Sequence, residues 1–244
     1  MSGSAHVAFH DAECGGYRDD LALWRRLAGR AGGPVLDLGC GTGRVALELA
    51  RAGHHVWALD HDAELLGELA ACAAADGLRV ETVCADCREL DLVGAFPLII
   101  APMQLVQLLG GPAGRRRLLD GVRRHLAPGG EFAAAIIEGV PPGVIAGAGD
   151  ALPDVRERGG WVYSSLPLGA AIAEGAIEVR RLRQVVSPSG ELSESVHTDC
   201  LDLLDAASLE AEAAGCGLAA RERIEVPAGE SHVGSTVVVL GRAG

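Results

Sequence analysis

The sequence predicts an α/β fold: a mainly parallel sheet with helices, interrupted after its fifth strand by a small antiparallel β insertion. Three observations lead there. Between residues 17 and 137, short apolar runs of strand character alternate with segments of helical period. Strands separated by helices are joined by right-handed crossovers and lie parallel. From about 161 to 203, strand-like runs follow one another without an intervening helix, which makes them antiparallel neighbours. The length of 244 residues, 49% of them hydrophobic, suits one soluble domain with an embellishment and supplies ample core.

Taken in order, residues 17–31 read as a helix with Leu21, Trp24, Leu27 and Ala28 on one face, stopped by Gly32-Gly33-Pro34. Residues 35–38 form a short apolar strand, 43–52 a helix and 55–59 a second strand. A helix rich in Ala and Leu spans 62–76 and ends at Gly77. Residues 79–84 and 97–101 are the next strands, 113–126 a helix closed by Pro128-Gly129-Gly130, and 131–137 the fifth strand. Residues 139–160, rich in Gly and Pro, read as a loop. Strands at 161–168, 176–186 and 191–203 follow, the last two joined by Ser187-Pro188-Ser189-Gly190. Asp205 is a suitable N-cap for a helix ending at Gly215. Two closing strands, 219–226 and 233–241, flank a loop containing His232.

The charge narrows the function. With 33 acids against 21 bases the net charge is −12 and the pI about 5.1, a balance that repels phosphate backbones and disfavours a nucleic-acid partner. Every cation is Arg: there is no Lys and no Asn. Lysine Schiff-base chemistry, a lysine base, a P-loop lysine and N-glycosylation are thereby excluded; a GC-rich codon bias accounts for both absences. Seven cysteines at 14, 40, 72, 84, 87, 200 and 216 form no framework and point to free thiols in a reducing cytoplasm. No basic segment followed by an apolar one marks a signal peptide. The uncharged stretch 92–114 is broken by Pro97, Pro102 and Pro112 and holds Gln104 and Gln107, which suits a strand and short helix better than a membrane span. Arg115 to Arg117 with Arg123 and Arg124 read as the solvated face of a helix.

Asp37-Leu38-Gly39-Cys40-Gly41-Thr42-Gly43 joins the first strand to the next helix. Glycines there let the backbone take left-handed angles and let a ligand lie against bare main chain. The spacing is G-x-G-x-G, and Arg44 stands where a dinucleotide fingerprint needs glycine. A ligand carrying a sulfonium and an ammonium has more use for the nearby carboxylate than for a phosphate cradle.

This segment resembles motif I of class I S-adenosylmethionine-dependent methyltransferases. The resemblance spans roughly residues 17–137 and 205–241 and implies a doubly wound, seven-stranded sheet with a reversed last strand. It implies cofactor contacts from Gly39, Cys40, Gly41 and Gly43, from Asp37, and from Tyr17, His61 and Ala101. Asp60, 17 residues beyond Gly43, matches the acid that accepts both ribose hydroxyls, although alone it could simply cap the helix beginning near 62. Asp86, followed by Cys87, matches the acid near the adenine amino group. Ala101-Pro102-Met103-Gln104-Leu105 and the antiparallel insertion resemble the small-molecule branch. The same run lacks the polar first residue and aromatic of the nucleic-acid and protein N-methyltransferase signature.

Ligands of doubly wound sheets sit beyond the carboxyl ends of the strands, which nominates Gln104, Glu138 and His232 on the acceptor side. The resemblance implies that residues 1–16 form a cap over the cofactor. That segment offers His10, Asp11, Glu13 and Tyr17; His10-Asp11 stands where related enzymes often carry Tyr-Asp, so His10 becomes a candidate base. Glu138 and His10 are the preferred bases and His232 the third. His6, His10 and Cys14 recur at four-residue spacing, but the neighbouring glycines argue for irregular structure and no metal is expected. The division expected is a cap at 1–16, a cofactor domain at 17–138 and 205–244, and an insertion at 139–204 serving as lid or homodimer surface. The leading reading is methyl transfer to an oxygen or nitrogen of a small metabolite, without nucleic acid or membrane. The alternatives are cyclisation within S-adenosylmethionine, releasing methylthioadenosine, and a binding module without catalysis.

Overall fold

The computed structural model describes residues 5–139, 152–173, 175–229 and 233–244. The chain forms two compact units, one of residues 18–138 and 204–244, the other of 1–17 and 139–203. Elements are numbered in chain order, and the first helix, α1 (Ala5–Cys14), belongs to the second unit.

In the larger unit the first elements are α2 (Leu21–Ala31), β1 (Val35–Leu38), α3 (Arg44–Arg51), β2 (Val56–Asp60), α4 (Ala63–Ala75), β3 (Val80–Cys84) and β4 (Phe96–Ala101). They are followed by α5 (Pro112–His125) and β5 (Leu126–Ile136). After the insertion come α6 (Ala206–Gly215), β10 (Leu218–Val226) and β11 (Ser235–Arg242). The seven strands line up as β10-β11-β5-β4-β1-β2-β3. β11 runs antiparallel to both neighbours, and the other pairings are parallel. The expected doubly wound sheet with a reversed last strand is therefore present.

Period-two alternation explains how both faces are covered. Leu98 and Ile100 of β4, Ala133 and Ala135 of β5, and Val237 and Val239 of β11 pack with residues of α2, α3 and α4. The intervening Ile99, Phe132, Ala134, Val238 and Leu240 pack with Leu118 and Val122 of α5 and Leu209 and Ala213 of α6. Two expectations shift locally. The helix expected from residue 17 is α2 and begins at Leu21, after Asp20, whose side chain binds Trp24 and Arg44 and makes no cap hydrogen bond. The Pro-Gly-Gly turn is drawn into β5 as a bulge: Phe96 pairs with Leu126, but Leu98 pairs with Glu131.

The smaller unit is a four-stranded antiparallel sheet, β6 (Asp154–Arg158), β7 (Trp161–Ala173), β8 (Ala176–Val186) and β9 (Leu192–Asp202), in sequential order. β6 corrects the reading of 139–160 as loop; its charged residues hide the strand period that β7 supplies by pairing. The N-terminal segment is also regular, since α1 packs on β6 and β7 despite the flanking glycines. Phe9 meets Tyr163 edge-to-face with centroids 5.6 Å apart, and Arg183 stacks over Phe9. Glu13 accepts paired hydrogen bonds from Arg183, both 2.7 Å, and one from Ser165. Burial works to raise the Glu13 carboxyl, yet these hydrogen bonds and the Arg183 and Arg181 charges override it and hold it low. Arg181 in turn binds Asp154. The opposite sheet face carries Val155, Val162, Leu166, Leu182, Val186, Leu192 and Val196 at alternating, cross-paired positions.

Among the described residues no helix is long and apolar enough to cross a membrane. None of the seven cysteines is in a disulfide.

Candidate functional site

The loop between β1 and α3 lies next to the centre of the sheet order, where β1 is flanked by β4 and β2. Gly39, Gly41 and Gly43 all hold positive φ, at 63°, 55° and 93°, a region costly for side chains with a Cβ. At Gly39 a Cβ would also come within 2.8 Å of Leu105, and at Gly43 within 2.7 Å of Leu69.

Asp60 closes this loop from the end of β2. Its Oδ2 accepts the Gly41 N–H at 2.8 Å and its Oδ1 the Asp62 N–H at 3.0 Å, with His61 Nδ1 3.2 Å away. The helix beyond is capped by Asp62, which accepts from Glu64 and Leu65. A carboxylate offers about four acceptor positions, so the two backbone bonds leave Asp60 capacity for a ligand's hydroxyls.

Asp37 is 1% exposed, and neither of its oxygens has a partner at full hydrogen-bond geometry, the Ala46 N–H being the donor that acts on it. Burial is the main force pushing its carboxyl up to about 8; the Arg44 charge opposes and Asp60 adds to it. Burial likewise raises the Cys40 thiol, and pushes that of Cys87 up to about 12, so both are neutral thiols.

Asp86 caps the short turn after β3 and is gripped by Arg88 through its backbone N–H and guanidinium. Those Arg88 contacts hold the carboxyl below its usual range. Ala101 ends β4 fully buried. Gln104 is half-buried at the start of the following turn, next to Met103, whose φ of 55° makes it the one positive-φ non-glycine among the described residues. Glu138, after β5, accepts the Ala206 N–H through Oε1 and the Thr236 hydroxyl through Oε2, both at 2.7 Å. It thereby shares the α6 N-terminus with Asp205, which accepts from Ser208. His10 and Tyr17 belong to the smaller unit, both half-buried. His232 lies outside the described residues.

Three groups come from structure alone. Asp20 takes a bidentate pair from Arg44, at 2.5 and 2.8 Å, and the Trp24 indole N–H at 2.7 Å. In the sequence Arg44 signifies only the missing glycine of another fingerprint. The side-chain amide of Gln107, 0% exposed, donates to the Ile137 carbonyl and accepts its N–H, fastening the turn after β4 to the end of β5. A polar residue inside an apolar run is its signal. Arg115 corrects the reading of a solvated arginine face: it is 3% exposed and binds Glu212 of α6 through two hydrogen bonds. Among the described residues no group of three or more His, Cys, Asp or Glu is gathered to hold a metal.

The methyltransferase-domain family profile matches residues 35–130, from β1 into the β5 bulge. That segment is similar to a methyltransferase domain. Within the curated proteins, the chain is 35% identical over 133 residues to the cypemycin N-terminal methyltransferase of a Streptomyces species. That alignment covers 53% of this chain and spans about half, 51%, of the relative. Among solved structures, the sugar N-methyltransferase KedS8 from Streptoalloteichus superposes with a TM-score of 0.75 at 18% identity, covering 100% of this chain and 94% of its own. The S-adenosylmethionine-bound amino pentose methyltransferase CalS10 from Micromonospora echinaspora gives 0.69 at 20% identity, covering 97% and 96%. At these identities the structural likeness establishes the class I methyltransferase fold.

Proposed function

We propose that the protein is an S-adenosylmethionine-dependent methyltransferase that methylates a nitrogen or oxygen of a small metabolite, with nitrogen favoured. The observation that carries this is the glycine loop, bordered by two buried acids, Asp37 and Asp60, within the segment similar to a methyltransferase domain. Such a site suits a cationic ligand with ribose hydroxyls. Two of the similar proteins above are N-methyltransferases, which supports the preference for nitrogen.

The main chain at Gly39, Cys40, Gly41 and Gly43 would pack on the cofactor, Asp60 would accept the ribose hydroxyls, and Asp86 with Cys87 would border the adenine. His61 and Ala101 would line the same pocket, and Tyr17 is a further cofactor candidate. When bound, the cofactor supplies a methyl group on a good leaving group. What remains for the protein is chiefly positioning, which contributes roughly 7 to 11 kcal/mol at best, and a base worth about 10² to 10⁴ in rate. Both Glu138 oxygens serve the α6 terminus and Thr236, which favours a positioning role for it. His10 is therefore the preferred base, His232 the next, and Gln104 a group that orients the acceptor.

The smaller unit is assigned two uses, a lid over the acceptor and a homodimer surface. The apolar face of its sheet, on which Val155, Leu192 and Val196 are each more than half exposed, supports the second. Free thiols suit a cytoplasmic location.

The test is incubation with S-adenosylmethionine and a panel of amine- and hydroxyl-bearing natural-product scaffolds, read by mass spectrometry. Methylated product with S-adenosylhomocysteine is expected. Methylthioadenosine formed without an acceptor would replace this reading with internal cyclisation, and binding without turnover on any scaffold would favour a binding module.

A further inference from the structure

Asp37 is a buried acid at the glycine loop; neither of its oxygens has a partner at full hydrogen-bond geometry, and the backbone N–H of Ala46 in α3 is the donor that acts on it. Its neighbours in register, Ala58 of β2 and Ile100 of β4, are apolar. The charged or titratable groups that act on it are Arg44 at the start of α3, Asp60 at the end of β2, Asp20 ahead of α2, and Cys40 in the loop itself. Arg44 is engaged by Asp20 through its two terminal guanidinium nitrogens, so the only cation in this set is already matched by an acid. Two acids and one matched cation around a dry carboxyl, with only the Ala46 N–H favouring its charge, make its ionised form costly. A cation brought to the adjacent glycines reverses that balance.

We propose that Asp37 carries a proton in the free protein and surrenders it when the cationic amino-acid end of the cofactor occupies the glycine loop, so that cofactor binding is coupled to proton release. This rests on reading the loop as the S-adenosylmethionine site. The O–H bond of the carboxyl breaks, its electron pair stays on Asp37, and the proton passes to solvent. Burial first, with Asp60 adding and Arg44 opposing, pushes the free-state carboxyl up to about 8, so at pH 7 most molecules have a proton to lose. Linkage then fixes the sign: affinity weakens as pH falls below the free-state value, by up to roughly tenfold per pH unit until the bound-state value is reached.

Calorimetric titration of the full chain with S-adenosylmethionine at pH 7, in phosphate and in Tris, counts the protons exchanged through the difference in buffer ionisation heat. Asp37→Asn, which imitates the protonated carboxyl in shape, subtracts any contribution from the ligand's own amino group. The proton release of wild type is expected to exceed that of Asp37→Asn by more than about half a proton per bound ligand. The affinity of Asp37→Asn is expected to lose most of the wild-type dependence on pH between 6 and 8. Equal proton counts with intact binding would overturn the coupling while leaving the cofactor assignment standing; no binding by wild type would overturn the cofactor assignment as well. If Asp37→Asn does not fold, the carboxyl ¹³C shift of Asp37 in wild type at pH 7 decides. An ionised signal without ligand refutes the proposal, and a protonated signal that ionises on binding supports it.

Discussion

Asp60 carries more than one duty, because the oxygens assigned to ribose also hold the Gly41 and Asp62 amides. Removing the carboxylate should therefore loosen the loop and delete ligand bonds together: Asp60→Ala is expected to weaken S-adenosylmethionine binding at least tenfold, roughly one charge-assisted hydrogen bond, by calorimetry. Asp37 contributes to stability with the opposite sign from a paired acid. Its carboxyl is raised in the folded state from an ordinary value of 3.8 to about 8, so the native state holds the extra proton between those limits and loses stability as pH rises through them. The melting temperature of Asp37→Asn should accordingly gain on wild type between pH 5 and pH 8; a constant difference would show that Asp37 does not titrate there. Arg44→Met strands the Asp20 carboxylate in a buried place and should cost about 3 kcal/mol in chemical denaturation. Residues 37 to 43 and Asp60 were legible because glycine spacing and an acid at a strand end are local signals. The Asp20–Arg44 pair was not, since 24 positions separate its members and neither belongs to a motif.

At the level of elements, the sheet was legible wherever hydrophobic period and length agreed, as in β1, β2, β4 and α4. It was obscured where pairing overrode local character. β6 is Asp-Val-Arg-Glu-Arg, with one apolar residue, and owes its strand to β7. α1 forms beside glycines because Ala8 and Phe9 have Tyr163 to pack against. α6 illustrates a dependence invisible along the chain: its N-terminus is completed by Glu138, 68 positions earlier. Glu138→Ala should destabilise the protein by about 1 to 2 kcal/mol through lost capping, with Glu138→Gln retaining part of this through its remaining carbonyl oxygen. A catalytic base would instead show a large rate loss in Gln with stability nearly kept.

For the whole molecule, the division into two units puts the glycine loop, Asp60 and Asp86 in one and His10 with Tyr17 in the other. Sequence order suggests a separate N-terminal cap, but α1 is joined to the antiparallel sheet by the Glu13–Arg183 pair and the Phe9–Tyr163 contact. The sheet face that carries Val155, Leu192 and Val196 gives a direct test of the homodimer. Light scattering after size exclusion is expected to show a dimer for wild type and a monomer for Val196→Glu, with circular dichroism unchanged; a dimer persisting in Val196→Glu would clear this face of the role.

The position of β11 sets a timetable for synthesis. It lies between β5 and β10, yet it follows β5 in the chain by roughly a hundred residues. At about 5 to 20 residues per second, the edge of β5 waits some 5 to 20 seconds on the ribosome before its permanent neighbour exists. During that interval the chain emerging is the antiparallel insertion, itself rich in strands that could pair there. Its early closure into a separate sheet, with α1 already available to cover one face, removes those competing strands before β11 arrives.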